Sequence, residues 1–355
     1  RQRERVTWLA ALVLAGFGWL LVIQDCAPSG YGLSRSPWVL YYPGMSGYHA
    51  YARGRVESID QFLSEYDAVL ADPDPNNRTL HLGTHPPGLF LLHHGLIATC
   101  RASDGLTEQL IASQPRSVVD ALKTIVPDGQ SLSETDKAAL WLAALLTQLA
   151  AIVTVLPLYA LIRVDLSAHV AWRSVVFWPL VPALIVFLPK SDCLFPLLAT
   201  TATWLSWSHL KQGGWWRPFL AGLVLWLGLC LSMAFLPVVL LVAGLLAWSA
   251  WQVDTAGTRH RRLTTVAGLV TGLALPTVAC WLTWDVNLPR IWWVNLENHA
   301  GFYDLNPRTF LAWLLVNPLE LVLGLGLPLG LLSLTGIGKR FASGDPRQSG
   351  PAWVC

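Results

Sequence analysis

The sequence predicts an all-α polytopic membrane protein, with about eight transmembrane helices and a long outer loop carrying interfacial helices. Three observations predict it. Hydrophobic residues make up 54% of the 355 and charged residues only 13%, whereas about a quarter of a soluble domain is charged. Apolar runs recur at the roughly 20-residue length that crosses a hydrocarbon core. Many of the 19 tryptophans stand at the ends of those runs, Trp172, Trp178, Trp215 and Trp251 among them, as side chains that favour the water–lipid boundary do. A net charge of +2 gives no argument for a nucleic-acid partner.

The first run, residues 6–23, is too long for a signal-peptide core, and DCAPSG follows where a small-residue cleavage site would stand. It is expected to remain as an anchor. The chain opens on RQRERV without Met and stops at SGPAWVC, so it is read as a fragment and its span count as a minimum. Further runs fall at 138–162, 168–188, 193–209, 264–284 and 310–335. The stretch 217–251 is too long for one span and is divided at SMAFLP into two helices joined by a tight turn.

The expected division is therefore a first transmembrane helix over 1–23, an outer segment over 24–137, a bundle over 138–338 and a tail over 339–355. Lys and Arg accumulate on the cytoplasmic side of short loops. An inside N terminus puts Arg1, Arg3, Arg5, Arg163, Arg173, Lys211, Arg217, Arg259, Arg261, Arg262, Lys339 and Arg340 on one side and leaves only Lys190, Arg290 and Arg308 in the short outer loops. The expected location is a bacterial cytoplasmic (inner) membrane, with 24–137 outside.

Function is expected in that outer segment. In VESIDQFLSEYDAVL, Ile59, Phe62, Leu63, Tyr66 and Leu70 recur at helical spacing while Glu57, Asp60, Ser64 and Asp67 form another stripe. This suits a helix on the membrane surface, and for any single acid a plain solvated face. In THPPGLFLLHHGLIATC the run from Gly88 to Cys100 is too short to span. Pro86 and Pro87 set a turn and then permit a helix, so an interfacial or re-entrant helix is expected with His85 pinned at its entrance. His93 and His94 are expected to snorkel from it. His81 and His85 stand four apart, but Gly83 and the prolines oppose a helix and no Glu intervenes as in a zinc-binding HExxH.

Other polar candidates lie between the later spans. LPKSDCLFP places Lys190 and Asp192 at an outer boundary, where charges near hydrocarbon are functional candidates or helix caps. The stretch DVNLPRIWWVNLENHAGFYDLNPRTF is read as a loop concentrating Asn295, Asn298, His299, Tyr303 and Arg308, with Arg308 or Arg290 suited to grip a phosphate. Glu320 falls inside the last span, to line a lipid's path or pair with a neighbouring helix. Cys26, Cys100 and Cys193 lie on the outer side, where disulfides are permitted, but three leave one over and no pairing can be read.

An N-terminal span, a long outer loop, THPPG at Thr84–Gly88 leading into an interfacial helix, and paired short helices in GLVLWLGLCLSMAFLPVVLL resemble the GT-C superfamily of membrane glycosyltransferases, which includes protein O-mannosyltransferases and aminoarabinose transferases. The chain also looks like a bacterial branch combining Phe62–Tyr66, Thr84–Gly88, Pro189–Asp192 and Asn298–Arg308. The resemblance implies transfer of a sugar from a polyprenyl-phosphate-linked donor to an acceptor on the outer face. It also implies a carboxylate as base or metal ligand, and a divalent cation such as Mg or Mn near the phosphate. Those families carry an acidic residue or pair soon after the first span; here only Asp25 stands there, and the next acid is Glu57. The expected catalytic group is Asp60, then Asp25, then Glu57, with His85 beside it and Asp60 and Asp192 as metal ligands. Lys190, Asp192, Asn298, His299, Tyr303, Arg308 and Glu320 are expected to touch substrate. The alternatives are a transporter or lipid flippase, or a noncatalytic membrane assembly protein.

Overall fold

The computed structural model describes residues 2–42, 44–71, 83–125, 131–251, 256–305 and 309–343. Among the described residues every regular element is a helix. The chain is an all-helical, multi-pass membrane protein. Among the described residues five helical segments are long and apolar enough to cross a bilayer: Glu4–Asp25, Glu134–Asp165, Ala168–Phe187, Met233–Trp251 and Gly257–Trp284.

The second of these is the hub. It comprises α9 (Glu134–Val153) and α10 (Val155–Asp165), and 61% of its most apolar stretch is buried in protein, against 11% for the first and last segments. Few residues of those two segments are fully buried in protein. Helix α9 starts in a capping box, because the Ser133 side chain accepts from the Asp136 N–H while the Asp136 carboxylate accepts from the Ser133 N–H. Helix α1 (Gln2–Asp25) packs on its flank.

Hydrocarbon gives apolar helices no reason to leave lipid for one another, so close backbone packing must hold them together. The most extensive helix pair is α14 (Trp216–Leu231) with α16 (Ala256–Trp284). A Cβ on Gly222 would lie 2.9 Å from Gly272 Cα and would strike the Leu269 carbonyl; one on Gly272 would strike Phe219 O. Gly268 and Gly272 are four apart on α16, the spacing of small-residue helix contacts. The expected division at SMAFLP holds: Ser232 ends α14 and caps a short 3-10 helix, Met233–Phe235, that leads into α15 (Leu236–Trp251).

The expected span over 310–335 is instead broken. Helix α18 (Phe310–Leu325) and α19 (Leu327–Ser343) meet at 116°. Gly326 has φ +86, and Leu327 precedes a proline, which disfavours helical backbone at that point. The stretch read as a polar loop between the expected spans 264–284 and 310–335 is also a helix, α17 (Leu288–Leu305).

The described residues between α1 and α9 include short helices: α2 (Ser36–Tyr41), α3 (Tyr48–Arg55), α4 (Ile59–Ser64), α5 (Tyr66–Ala71), α6 (Gly88–Arg101), α7 (Asp104–Ala112) and α8 (Arg116–Leu122). The expected surface helix is two pieces parted at Glu65; of its apolar stripe Phe62, Leu63, Tyr66 and Leu70 are buried, whereas Ile59 at its start is exposed. Helix α6 starts at Gly88 behind Pro87, as the Pro-Pro turn predicts. The THPPG glycine has a packing reason: a Cβ there would strike the Cys230 carbonyl at the end of α14. His93 does not snorkel. It is 3% exposed because α6 lies packed on α3 and α9. Tyr48, Phe62, Tyr66 and Phe90 form an aromatic cluster, with Phe90 centred 5.2 Å from Tyr48 edge-on. This core runs on through Ala138 to Ala144 of α9 and to Val286, Leu288 and Ile291, so the outer segment and the bundle share one core.

Candidate functional site

A cavity of about 990 Å3 opens at the end of α1. The last turn of α1 supplies Gln24 and Asp25, a 3-10 helix (Gly32–Arg35) supplies Arg35, α2 supplies Trp38, and α8 supplies Arg116, Ser117 and Asp120. The connecting loop is fixed locally: the Gly30 N–H donates to Ser34 Oγ at 2.9 Å, and that hydroxyl donates to Tyr31 O at 2.8 Å. Trp38 is held by stacking on Tyr42, with ring centres 4.5 Å apart. Ser117 Oγ donates to Asp25 Oδ1 at 2.7 Å. A carboxylate in the last turn of a helix faces the negative end of its dipole, a placement that costs stability, and the Ser117 hydrogen bond offsets part of that cost.

Asp120 lies on the same wall, 2.8 Å from Lys123 Nζ and 3.9 Å from Arg116 Nε. The Lys123 hydrogen bond and charge hold its pKa below the ordinary aspartate value. Gln24, 1% exposed, donates to Leu20 O at 2.9 Å and to Gln148 Oε1 at 3.4 Å. Its own Oε1 is buried without a hydrogen-bond partner. The site thus combines two exposed carboxylates, two guanidinium groups and an indole face near a buried amide pair.

The other expected residues are elsewhere, and several are tied to protein. Asp60 Oδ1 accepts from Trp284 Nε1 at 2.7 Å, which ties α4 to the end of α16. Asn295 donates to Gly83 O at 2.9 Å and His85 O at 3.3 Å, and Asn298 to Gly83 O at 2.8 Å. Tyr66 donates to His85 O at 2.6 Å, Thr84 Oγ1 lies 3.1 Å from His85 Nδ1, and the His85 ring meets Tyr48 edge-on at 5.7 Å. His85 is thus pinned, as the Pro-Pro turn predicts, with α17 clamped against its backbone. Arg290 adds a 3.2 Å ion pair with Asp67.

Asp192 is exposed at the 3-10 helix Ser191–Leu194, preceded by Lys190, and its charge adds to burial in raising the Tyr48 pKa. Glu57 and His299 are exposed, and Glu320 is exposed on α18. His81 and Arg308 lie outside the described residues, as does the side chain of Tyr303. Asp25 is the one member of the expected set on the wall of this cavity. Among the described residues no three His, Cys, Asp or Glu side chains gather as a metal site.

Sequence reasoning missed a second group. His49 and Arg53 of α3 both face Asp136 of α9, with His49 Nε2 at 3.7 Å and Arg53 Nε at 3.0 Å from its carboxylate. The His49 ring stands perpendicular to that of His93 with centres 5.7 Å apart, and Tyr48 stacks on His93 at 6.3 Å. His49 is fully buried and neither ring nitrogen has a hydrogen-bond partner; the same is true of His93 Nδ1. Each such orphan costs about 1–3 kcal/mol. Burial, and next the neighbouring His49, push the His93 pKa down to about 3, so its ring is neutral. The signal was available: His49 and Arg53 stand four apart on one helical face, and Asp136 opens an apolar run.

No protein-family model matches this chain, and no curated protein or solved structure matches it either.

Proposed function

We propose that this protein is a membrane glycosyltransferase that moves a sugar from a polyprenyl-phosphate-linked donor to an acceptor on the membrane face carrying residues 24–137. The observation that carries this reading is Asp25, a carboxylate on the wall of a cavity at the end of the first apolar helix, beside Arg35, Arg116 and Trp38. At about 990 Å3 the cavity has the size of sites that enclose small molecules, roughly 300–1,000 Å3.

In this mechanism Asp25 accepts the proton of the acceptor hydroxyl as its oxygen bonds to the anomeric carbon. The bond from that carbon to the phosphate oxygen breaks, and the polyprenyl phosphate leaves with its electron pair. Arg35 and Arg116 meet the charge that grows on the phosphate. Ser117 orients the base by its hydrogen bond, and Trp38 offers an apolar face to the sugar. Asp25 takes precedence over Asp60 because it lines this cavity and Asp60 does not.

The finer topology belongs to the same proposal. With α13 (Phe195–Gln212) and α14 counted as spans and the bent α18–α19 pair as another, the count reaches the expected eight. The N terminus is then inside, and the membrane is a bacterial inner membrane.

The test is turnover by purified protein in nanodiscs on a panel of polyprenyl-phosphate sugars, with and without Mg2+ or Mn2+. Asp25→Asn lowers turnover at least about a hundredfold, the usual worth of a positioned general base, while Asp60→Asn stays near wild type. Turnover equal in Asp25→Asn and wild type overturns the assignment. A transporter is the second reading, favoured by the broken α18–α19 pair; lipid movement across liposomes with no sugar transfer would decide for it.

A further inference from the structure

Helix α13 starts at Phe195, which packs on the core shared with the outer segment, and α16 ends at Trp284, which donates to Asp60. Their other ends lie on the far side of the bundle, roughly 27 Å along α13 at 1.5 Å per residue. There α13 turns into α14 through Gly213 and Gly214, both at positive φ, +82 and +106. His209, 4% exposed, clips this turn to α16, with Nδ1 3.0 Å from Gly214 O and Nε2 3.0 Å from Thr264 Oγ1.

Three cations gather on this clip. Arg261 donates from Nη1 to Lys211 O at 2.8 Å, and Arg217 donates from Nη1 to Ser208 O and to Gln212 Oε1, each at 3.3 Å. Lys211 Nζ lies 4.6 Å from the centre of the Trp207 ring. Capping accounts for part of the arrangement, because a helix C terminus carries about half a negative charge. Asp165, 3.8 Å from Lys211 Nζ, supplies one more. Arg259 and Arg262 follow in the first turns of α16, and the sequence just before that helix adds one acid, Asp254. Against five cations stand two carboxylates and a helix end, which leaves about 2.5 positive charges to be met from outside the chain. Each guanidinium carries five N–H donors, so the other Nη of Arg217 and of Arg261 can serve a ligand.

Depth decides which anion that is. Trp215 and Trp251, at the same side of α14 and α15, are each 85% exposed, and Trp216 is 41% exposed. Exposed indoles of this kind sit at headgroup level. There the most abundant anion is a lipid phosphate, and basic pockets between helix ends take such headgroups. We infer that the ends of α13, α14 and α16 bind the phosphodiester of an anionic phospholipid through Arg217, Arg261 and Lys211, in the leaflet opposite residues 24–137. The inference stands whether or not the transferase reading does.

The experiment is native mass spectrometry of the full chain in detergent, titrated with phosphatidylglycerol or with phosphatidylcholine. Wild type is expected to hold phosphatidylglycerol about tenfold more tightly or better, and to keep it against inorganic phosphate in about tenfold excess. Each cation lost should weaken binding about fivefold, so Arg217→Gln with Arg261→Gln falls about 25-fold, whereas Lys at both positions stays within about fivefold of wild type. Both arginines also hold α13 carbonyls, so Lys211→Gln, exposed and holding none, takes over if the double glutamine variant fails to fold; it should lose about fivefold. Arg101→Gln, an exposed cation on the outer segment, should change nothing. Equal affinity of wild type for the two lipids, displacement of the lipid by inorganic phosphate, or unchanged affinity in the folded double variant or, in its place, Lys211→Gln overturns the inference.

Discussion

The end of α1 and the His49–Asp136 group both set an aspartate near arginine within reach of residues 24–137, but water treats them differently. Asp25 and Asp120 are exposed, Arg116 is almost wholly so, and the Lys123–Asp120 pair lies in solvent. Asp136 is buried to 5%, satisfied by Ser133 and Arg53, and sits against a histidine with no exposure at all. Exposed ion pairs contribute about 0–1 kcal/mol, so the open site is free to be organised for a ligand. A buried carboxylate must keep its partners or lose several kcal/mol, which makes the second group a fixture of the fold.

Three measurements sharpen or break that contrast. Removing the buried acid should have the largest effect: Asp136→Ala leaves Arg53 unpaired and the α9 cap undone. Because Arg53 remains about a third exposed, the loss is expected near the low end for such pairs, about 3 kcal/mol, read as a lowered Tm in detergent. A loss below about 1 kcal/mol would show that the group is not structural.

Acidification comes next. The folded His93 pKa of about 3 lies below the unfolded value of about 6.5, so between those values the unfolded chain binds a proton that the folded chain does not. Its contribution is complete above pH about 6.5 and declines by roughly 1.4 kcal/mol per unit as pH falls toward 3. His93→Gln should flatten that part of the stability profile, and a profile identical to wild type would contradict the buried neutral ring. The smallest effect is reserved for the open site: Asp25→Asn should shift stability by no more than about 0.5 kcal/mol, as exposed substitutions do. A larger drop would mean that its turnover loss reports unfolding.

Span length and helix starts were legible because they depend on local composition. The run 6–23, the division at SMAFLP and the helix following Pro86 and Pro87 follow from hydropathy and from proline geometry. Two features escaped a reading by composition. The run 310–335 passes as a span on hydropathy, which is blind to a Gly-Leu-Pro break. Residues 288–305 looked like a loop because they are polar, yet Ile291, Asn295 and Asn298 share the face that packs inward.

By itself the sequence determined solvent and local form: how much chain prefers lipid, where helices start, and that His85 is held by a rigid turn. Tertiary structure alone decided what each acid touches. Asp60 and Asp25 look equivalent as letters, but Trp284, 224 positions away, donates to one, while α8 places Ser117 beside the other on a cavity wall. The same holds for His93, whose burial depends on α3 and α9 closing over it. Hydropathy and helix propensity act over a few neighbouring residues; hydrogen-bond partners and burial depend on contacts between segments far apart in the chain.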